Sequence, residues 1–475
     1  MVSTKVIAII AVAVVVVAGA GVAAVTLLNN KDDSIERVDT ALPVYGNANN
    51  DTKVDSADVD LIQEIIDGKK EFKDYPMADA NNDKEVTSAD IEKVNAIIGK
   101  TTDKVFIQSL TPEGHATATE IAYPLTNIVV IGTNMVPVTI NAGAIPALAG
   151  WYKGSTPYPN AETAMKDVYS LGKAGRSALS DTLWKNFTDR DAKLKADTGT
   201  GIQAFFVDHS LASAITTKIR SDLAASGIPE VRLAVADPYQ DISCTMMLGF
   251  LVGGKCEETA RNYAEKSFDV LTDIKSKVSG LADADKKTYI GITMLNYVCH
   301  NESTFGQIGS YVGGVPYYTV NDDFKVAYSG SGSTVMNSTE ALSNYAIAAK
   351  LGEKRGIDVI FSNRTVDFKV GEEGKNAQIV AQFEGACSQG AKGVAWDYFK
   401  DLDCYKGVWY INNLLPGACK LAYAAACMYP DQYSMDDANN VAKDFATFCP
   451  SMDGVTIENS NLCWGYDAYV AAKAA

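Results

Sequence analysis

Oxygen-bearing side chains recur in this chain with a fixed spacing. The run Asn47-Ala-Asn49-Asn-Asp51-Thr-Lys53-Val-Asp55-Ser-Ala-Asp58 returns 32 residues later as Asp79-Ala-Asn81-Asn-Asp83-Lys-Glu85-Val-Thr87-Ser-Ala-Asp90. Two in-phase copies make an internal repeat, which chance composition rarely produces. In each copy oxygens stand at loop positions 1, 3, 5, 9 and 12: Asn47, Asn49, Asp51, Asp55 and Asp58, then Asp79, Asn81, Asp83, Thr87 and Asp90. The backbone carbonyls of Lys53 and Glu85, at position 7, would complete each set. A hard cation needs such a wrapping of six or seven oxygens, and Ca2+ suits it best. Two Ca2+ sites are therefore expected. The first should be the weaker, because Asn47 replaces a carboxylate at position 1. Thr52 and Lys84 occupy position 6, where a sharp turn favours glycine.

Other chemistry is sparsely represented. Three histidines, His115, His209 and His300, do not build imidazole-rich zinc sites. The nine cysteines all lie after residue 243 with no Cys-x-x-Cys pair, so disulfides are possible in an oxidising compartment but their pairing is open. Asp208-His209-Ser210 holds triad residue types as chain neighbours, whereas a triad converges from separated positions. Ser329-Gly-Ser-Gly-Ser333 lacks the glycine spacing of a phosphate loop. No catalytic residues are assigned, and the chain is read as a non-enzyme. With 42 basic and 58 acidic residues the net charge is −16, which repels phosphate backbones and disfavours nucleic acid as a partner.

Each acidic loop leads into a helical apolar period: Val59, Ile62, Ile65 and Ile66, then Ile91, Val94, Ile97 and Ile98. With these loops and helices, residues 45–99 resemble a type I dockerin, a small all-α unit with two EF-hand-like calcium loops. That resemblance implies a cohesin domain of a surface protein as partner, met by Ser56 and Ala57 in the first copy and by Ser88 and Ala89 in the second.

Residues 101–120 read as a polar linker, and from residue 121 apolar runs alternate with amphipathic helices, the signature of layered parallel sheets. Strands are expected at 128–131, 204–207, 231–234, 289–295, 359–361, 393–396 and 408–411. Residues 256–281 carry a helical period over about seven turns. So long a helix separates a first lobe, 121–255, from a second, 283–475.

Gly227-Ile-Pro-Glu-Val-Arg-Leu, Leu248-Gly-Phe-Leu-Val-Gly-Gly, Val408-Trp-Tyr-Ile-Asn-Asn and Met428-Tyr-Pro-Asp-Gln-Tyr follow one another around that helix. In this order the region resembles a helical-backbone (class III) periplasmic substrate-binding protein of the iron-chelate/cobalamin ABC importer type. The fold class expected is α/β, a two-lobed periplasmic-binding-protein fold joined by a long helix. Ligands of open α/β sheets sit beyond the carboxyl ends of strands. That rule nominates Trp151, Tyr152, Tyr158, Asp208, His209, Asp237 and Tyr239 in the first lobe, and Asn296, Tyr297, His300, Trp396 and Tyr398 in the second. Aromatic faces suit a large planar chelate: a siderophore, haem or corrinoid. The resemblance also implies an ABC importer permease as partner, engaged through Asp181 and Glu340.

Residues 6–28 form an uncharged run long enough to cross a bilayer, with Lys5 before it and Asp32 and Asp33 after it. The expectation is a single-pass anchor with residues 1–30 in or before the membrane, 31–44 as linker, and the bulk of the chain outside the cell. The function implied is capture of a metal chelate at the cell surface for an ABC importer. The competing expectation is a surface adhesion or scaffold subunit that uses the same fold without transport.

Overall fold

The computed structural model describes residues 40–154, 161–175, 177–294, 297–298, 304–320, 335–336, 356–364, 371–389 and 407–475. Within them no helix is long and apolar enough to cross a membrane; the apolar segment 6–28 lies outside the described residues.

The two acidic loops run into helices α1 (Ser56–Ile66) and α2 (Ser88–Ile98). The position-9 residues Asp55 and Thr87 are the N-caps, and the position-12 residues Asp58 and Asp90 complete capping boxes. The repeat therefore doubles as a helix-start signal. The helices bury Ile62 and Ile65 against Val94, with Ala48, Ala78 and Ala80 filling between them.

The stretch expected as a linker is instead an antiparallel hairpin, β1 (Lys104–Leu110) and β2 (Ala116–Ala122), in register from Lys104↔Ala122 to Leu110↔Ala116. Val105 and Ile107 alternate inward with the period of a strand. The hairpin holds a strap ahead of the first loop: Gln108 N–H donates to Pro43 O at 3.0 Å, Tyr45 N–H to Phe106 O at 2.9 Å, and Val44 bridges Ile107. Ala41, Leu42, Val44 and Ile97 belong to the same core as the two lobes. The loop unit is thus seated on the body of the protein, where a separately folding module on a linker was expected.

The first lobe contains β3 (Ile128–Ile131), α3 (Met135–Asn141), β4 (Leu148–Lys153), α4 (Ala161–Ala164), β5 (Ser170–Lys173), α5 (Asp181–Thr198), β6 (Ala204–Asp208), α6 (Thr217–Ala225) and β7 (Glu230–Leu233). All five strands are parallel, in the order β5-β4-β3-β6-β7. Helices cover both faces, so the strands are apolar on both sides, as buried parallel strands must be. Val130, Trp151 and Phe206 enter one core; Val129, Tyr152 and Phe205 enter the other.

Helix α7 (Pro238–Val252), buried from Pro238 to Leu251, leads into α8 (Lys255–Val278). At 24 residues α8 spans about 36 Å. Its buried stripe, Ala260, Tyr263, Ala264, Ser267, Phe268, Ile274 and Val278, has the expected period. The two helices cross closely at Gly249, where a side-chain carbon would lie 2.2 Å from Ala260 Cβ.

The second lobe holds β8 (Thr288–Met294), β9 (Tyr297–Val298), α9 (Thr304–Tyr311), β10 (Val315–Pro316), α10 (Tyr317–Val320), β11 (Val335–Met336), β12 (Val359–Arg364), α11 (Gly371–Gln389), β13 (Val408–Asn412), α12 (Gly417–Met428), α13 (Met435–Phe448), β14 (Cys463–Trp464) and α14 (Tyr466–Ala474). β8, β12 and β13 are parallel, β9 and β14 run antiparallel to their neighbours, and β10 pairs with β8. Every residue of α12 is buried, because it packs against α7, α8 and α9 at once.

Candidate ligand cleft and calcium loops

The strand order of the first lobe reverses between β3 and β6, and such a switch point opens a crevice beyond the strand ends. Two side chains meet there. Asn134 Nδ2 donates to Asp208 Oδ2 at 2.8 Å, while Ser210 N–H donates to the other carboxylate oxygen at 2.9 Å. Gly132 makes the approach possible: its φ is +118°, and a side-chain carbon there would stand 2.7 Å from Asp208 Cβ. Gly154, at the end of β4, faces Thr133 as closely. Asn134 and Gly132 did not figure in the sequence expectation, although Gly132-Thr-Asn134 directly after an apolar strand was a readable signal.

Beyond β7, Asp237 caps α7, accepting from Tyr239 N–H at 3.0 Å and Gln240 N–H at 3.1 Å. Tyr311 of the second lobe donates to the same carboxylate at 2.9 Å, and its ring stacks on Tyr239 at 6.2 Å. One turn on, Asp241 accepts from Tyr263 Oη at 2.6 Å and from Gly417 N–H at 2.9 Å. Gly417 has no room for a side chain, since one would collide with Pro238 O. Burial pushes Asp241 up and pushes the nearby Lys420 amine down, each partly countered by the other's charge. The first turn of α7 is therefore where the second lobe meets the strand ends of the first.

The other nominated residues are placed differently. Trp151 and Tyr152 lie within β4 and point into opposite cores, 3% and 1% exposed, so neither reaches the cleft. Tyr152 Oη donates to Leu183 O at 2.8 Å. His209 is buried; burial first, then the charge of Arg232, lowers its pKa to about 4, and Nδ1 has no partner. It is neutral at physiological pH and unsuited to a charge-bearing role. Asp181 is the exposed first residue of α5, whose cap is Ser180 Oγ. The backbone of Tyr297 lies in β9. Tyr158, Asn296, His300, Glu340, Trp396 and Tyr398 lie outside the described residues. A separate small pocket, with room for about one water, lies between β1, β7 and α7, lined by Gln108, Leu110, Arg232 and Cys244.

The two acidic loops share the hydrogen bonds made at positions 3, 5, 9 and 12. Asn49 Oδ1 accepts from Asp51 N–H and Asn81 Oδ1 from Asp83 N–H, both at 2.9 Å. Asp58 accepts from Asn49 and Asp55 N–H at 3.1 and 2.8 Å, as Asp90 does from Asn81 and Thr87 at 3.2 and 2.8 Å. Lys84 takes φ +79° at position 6, the left-handed turn for which glycine is suited; Thr52 does not. Burial, and then the charges of Asp51 and Asp55, push Asp58 up to about 7. Asn47 is fully buried, and its Oδ1 has no hydrogen-bond partner while its Nδ2 donates to Leu42 O and Asp51 O. An unpaired buried carbonyl oxygen beside crowded carboxylates fits an oxygen-ligated cation. Ser56, Ala57, Ser88 and Ala89 are exposed. Among the described residues no group of three or more His, Cys, Asp or Glu side chains forms a metal cluster by itself, so any cation here would depend on the Asn oxygens and backbone carbonyls as well.

No protein-family model matches the chain, and no curated protein matches it. Among solved structures it is similar to the TroA-like periplasmic binding protein FepB from Veillonella parvula, at 13% identity and a TM-score of 0.49, covering 75% of this chain and 99% of that one. It is also similar to Helicobacter pylori CeuE with Ni(II) bound, at 12% identity and a TM-score of 0.45, covering 72% and 95%. A third is the molybdate periplasmic binding protein MolA of Haemophilus influenzae, at 10% identity and a TM-score of 0.44, covering 70% and 95%. The likeness is one of overall fold alone.

Proposed function

We propose that this chain is an extracytoplasmic solute-binding protein that captures a metal chelate, a siderophore, haem or corrinoid, for an ABC importer. In this reading residues 6–28 anchor it in the membrane, and Asp181 and Glu340 meet the permease. Residues 45–99 act as a calcium-dependent dockerin-like module for a cohesin partner, with Asn47 to Asp58 and Asp79 to Asp90 holding Ca2+.

The observation that carries the reading is that the second lobe reaches the strand ends of the first sheet. Asn134 and Asp208 stand at the reversal of the first sheet, and Tyr311 of the second lobe reaches Asp237, which follows the neighbouring strand β7. A hydrogen bond of this kind between lobes can be exchanged for ligand contacts when the lobes open. Thermal unfolding of the full chain with a panel of ferric siderophores, haem and cobalamin tests it: one chelate should raise the melting temperature, and Asn134→Ala should reduce that rise. A panel without effect on either protein overturns the reading.

The adhesion or scaffold alternative is favoured by one feature, that Asp208 and Asp237 both have partners within the protein. It expects no chelate response but retention of calcium-dependent partner binding.

A further inference from the structure

Cys427 lies in the last turn of α12, and Cys463 opens β14, 36 residues further on. Their sulfurs are 3.7 Å apart. The position of Cys463 is set by the sheet, through its pairing with Ile411, and that of Cys427 by a helix buried along its whole length. The two thiols are therefore held together by separate rigid elements. Cys256 and Cys449 are engaged otherwise, donating to Gly143 O at 3.2 Å and to Asn141 Oδ1 at 3.1 Å.

We infer that Cys427 and Cys463 form a disulfide that staples the C-terminal end of α12 to the edge strand β14. A bonded pair needs its sulfurs about 2.05 Å apart, so the bond forms as the 3.7 Å separation closes. The oxidant is a disulfide of the compartment in which the chain folds. Cys463 is the more accessible, Cys427 being buried. The Cys463 thiolate attacks one sulfur of the oxidant RSSR and expels RS⁻, leaving a mixed disulfide. Cys427 gives up its proton, attacks the Cys463 sulfur and expels the second thiolate. Two protein thiols and one RSSR thus become one protein disulfide and two RSH. This inference needs no ligand and stands apart from the solute-binding reading.

The test is refolding of the full chain from denaturant in a glutathione redox buffer, which gives the oxidant access to both thiols before burial. After alkylation and proteolysis, mass spectrometry should find the Cys427 and Cys463 peptides linked and two hydrogens lighter. Cys427→Ser should leave Cys463 alkylated or carrying glutathione, and Cys463→Ser should do the same for Cys427. The oxidised parent should melt at a higher temperature than the reduced one, and neither variant should show that difference. Folded protein in which both thiols stay alkylatable, or in which either is joined to a different cysteine, overturns the inference.

Discussion

Thr52 Oγ1 donates to Glu265 Oε1 at 3.2 Å, joining position 6 of the first acidic loop to the helix that joins the lobes. Lys100 and Glu257 make a second, looser link at 3.6 Å. Through the strap, Asn47 Nδ2 holds Leu42 O, and Ser243 Oγ of α7 donates to Thr40 O at 2.8 Å. The first loop is thereby continuous with both long helices. Calcium should raise the unfolding temperature of the lobes together with that of the loop unit. Thr52→Val should weaken this by about 1 kcal/mol, the net contribution of one hydrogen bond. Calorimetry of the full chain with and without Ca2+ checks it, and a calcium-sensitive transition separate from that of the lobes would sink it.

Lys84 holds a left-handed conformation that costs a side-chain-bearing residue about 1 kcal/mol. Lys84→Gly should relieve it, tightening the second calcium site several-fold. Isothermal titration provides the comparison. Thr52→Gly, at a position without positive φ, should give no such gain.

Asp58 sets a pH dependence whose sign can be worked out. Its folded pKa of about 7 lies above the ordinary value of 3.8. The native state then holds the extra proton, so this contribution to stability is present below about pH 4 and is lost as pH rises through 7. Calcium binds the ionised carboxylate and must displace that proton. Affinity of the first site should fall about tenfold per pH unit below 7. Titrations at pH 5.5, 6.5 and 7.5 measure it, and a flat profile contradicts it.

Lys420 and Asp241 share a buried environment where the lobes meet. Lys420→Met removes the amine whose charge partly offsets the burial of Asp241, and should lower the stability of the chain. Adding Asp241→Asn should recover part of the loss. Denaturant unfolding of the two variants gives the comparison, and equal stability would show that the charges do not interact.

Trp151→Ala removes a ring from the core and should destabilise the chain by about 3–5 kcal/mol. Any loss of ligand binding should track that unfolding. A fully folded variant with impaired binding would return Trp151 to the cleft.

Local order was readable from the chain alone. The duplicated loop, its helices and the period of α8 are written in residue spacing, because caps, turns and helical faces are settled within a few residues. β3 and β6 showed as continuous apolar runs for the same reason. β4 was not recognised, since Gly150 interrupts a short run, and without it the strand-end rule placed Trp151 and Tyr152 in a loop when they belong to a strand with opposite faces. Only the tertiary structure decided that Asn134 meets Asp208, that Tyr311 meets Asp237, and that the acidic unit is seated on α8. The Thr52–Glu265 contact spans 213 residues. Such pairings arise from the summed burial of surfaces brought together by the whole topology, and no local spacing records them.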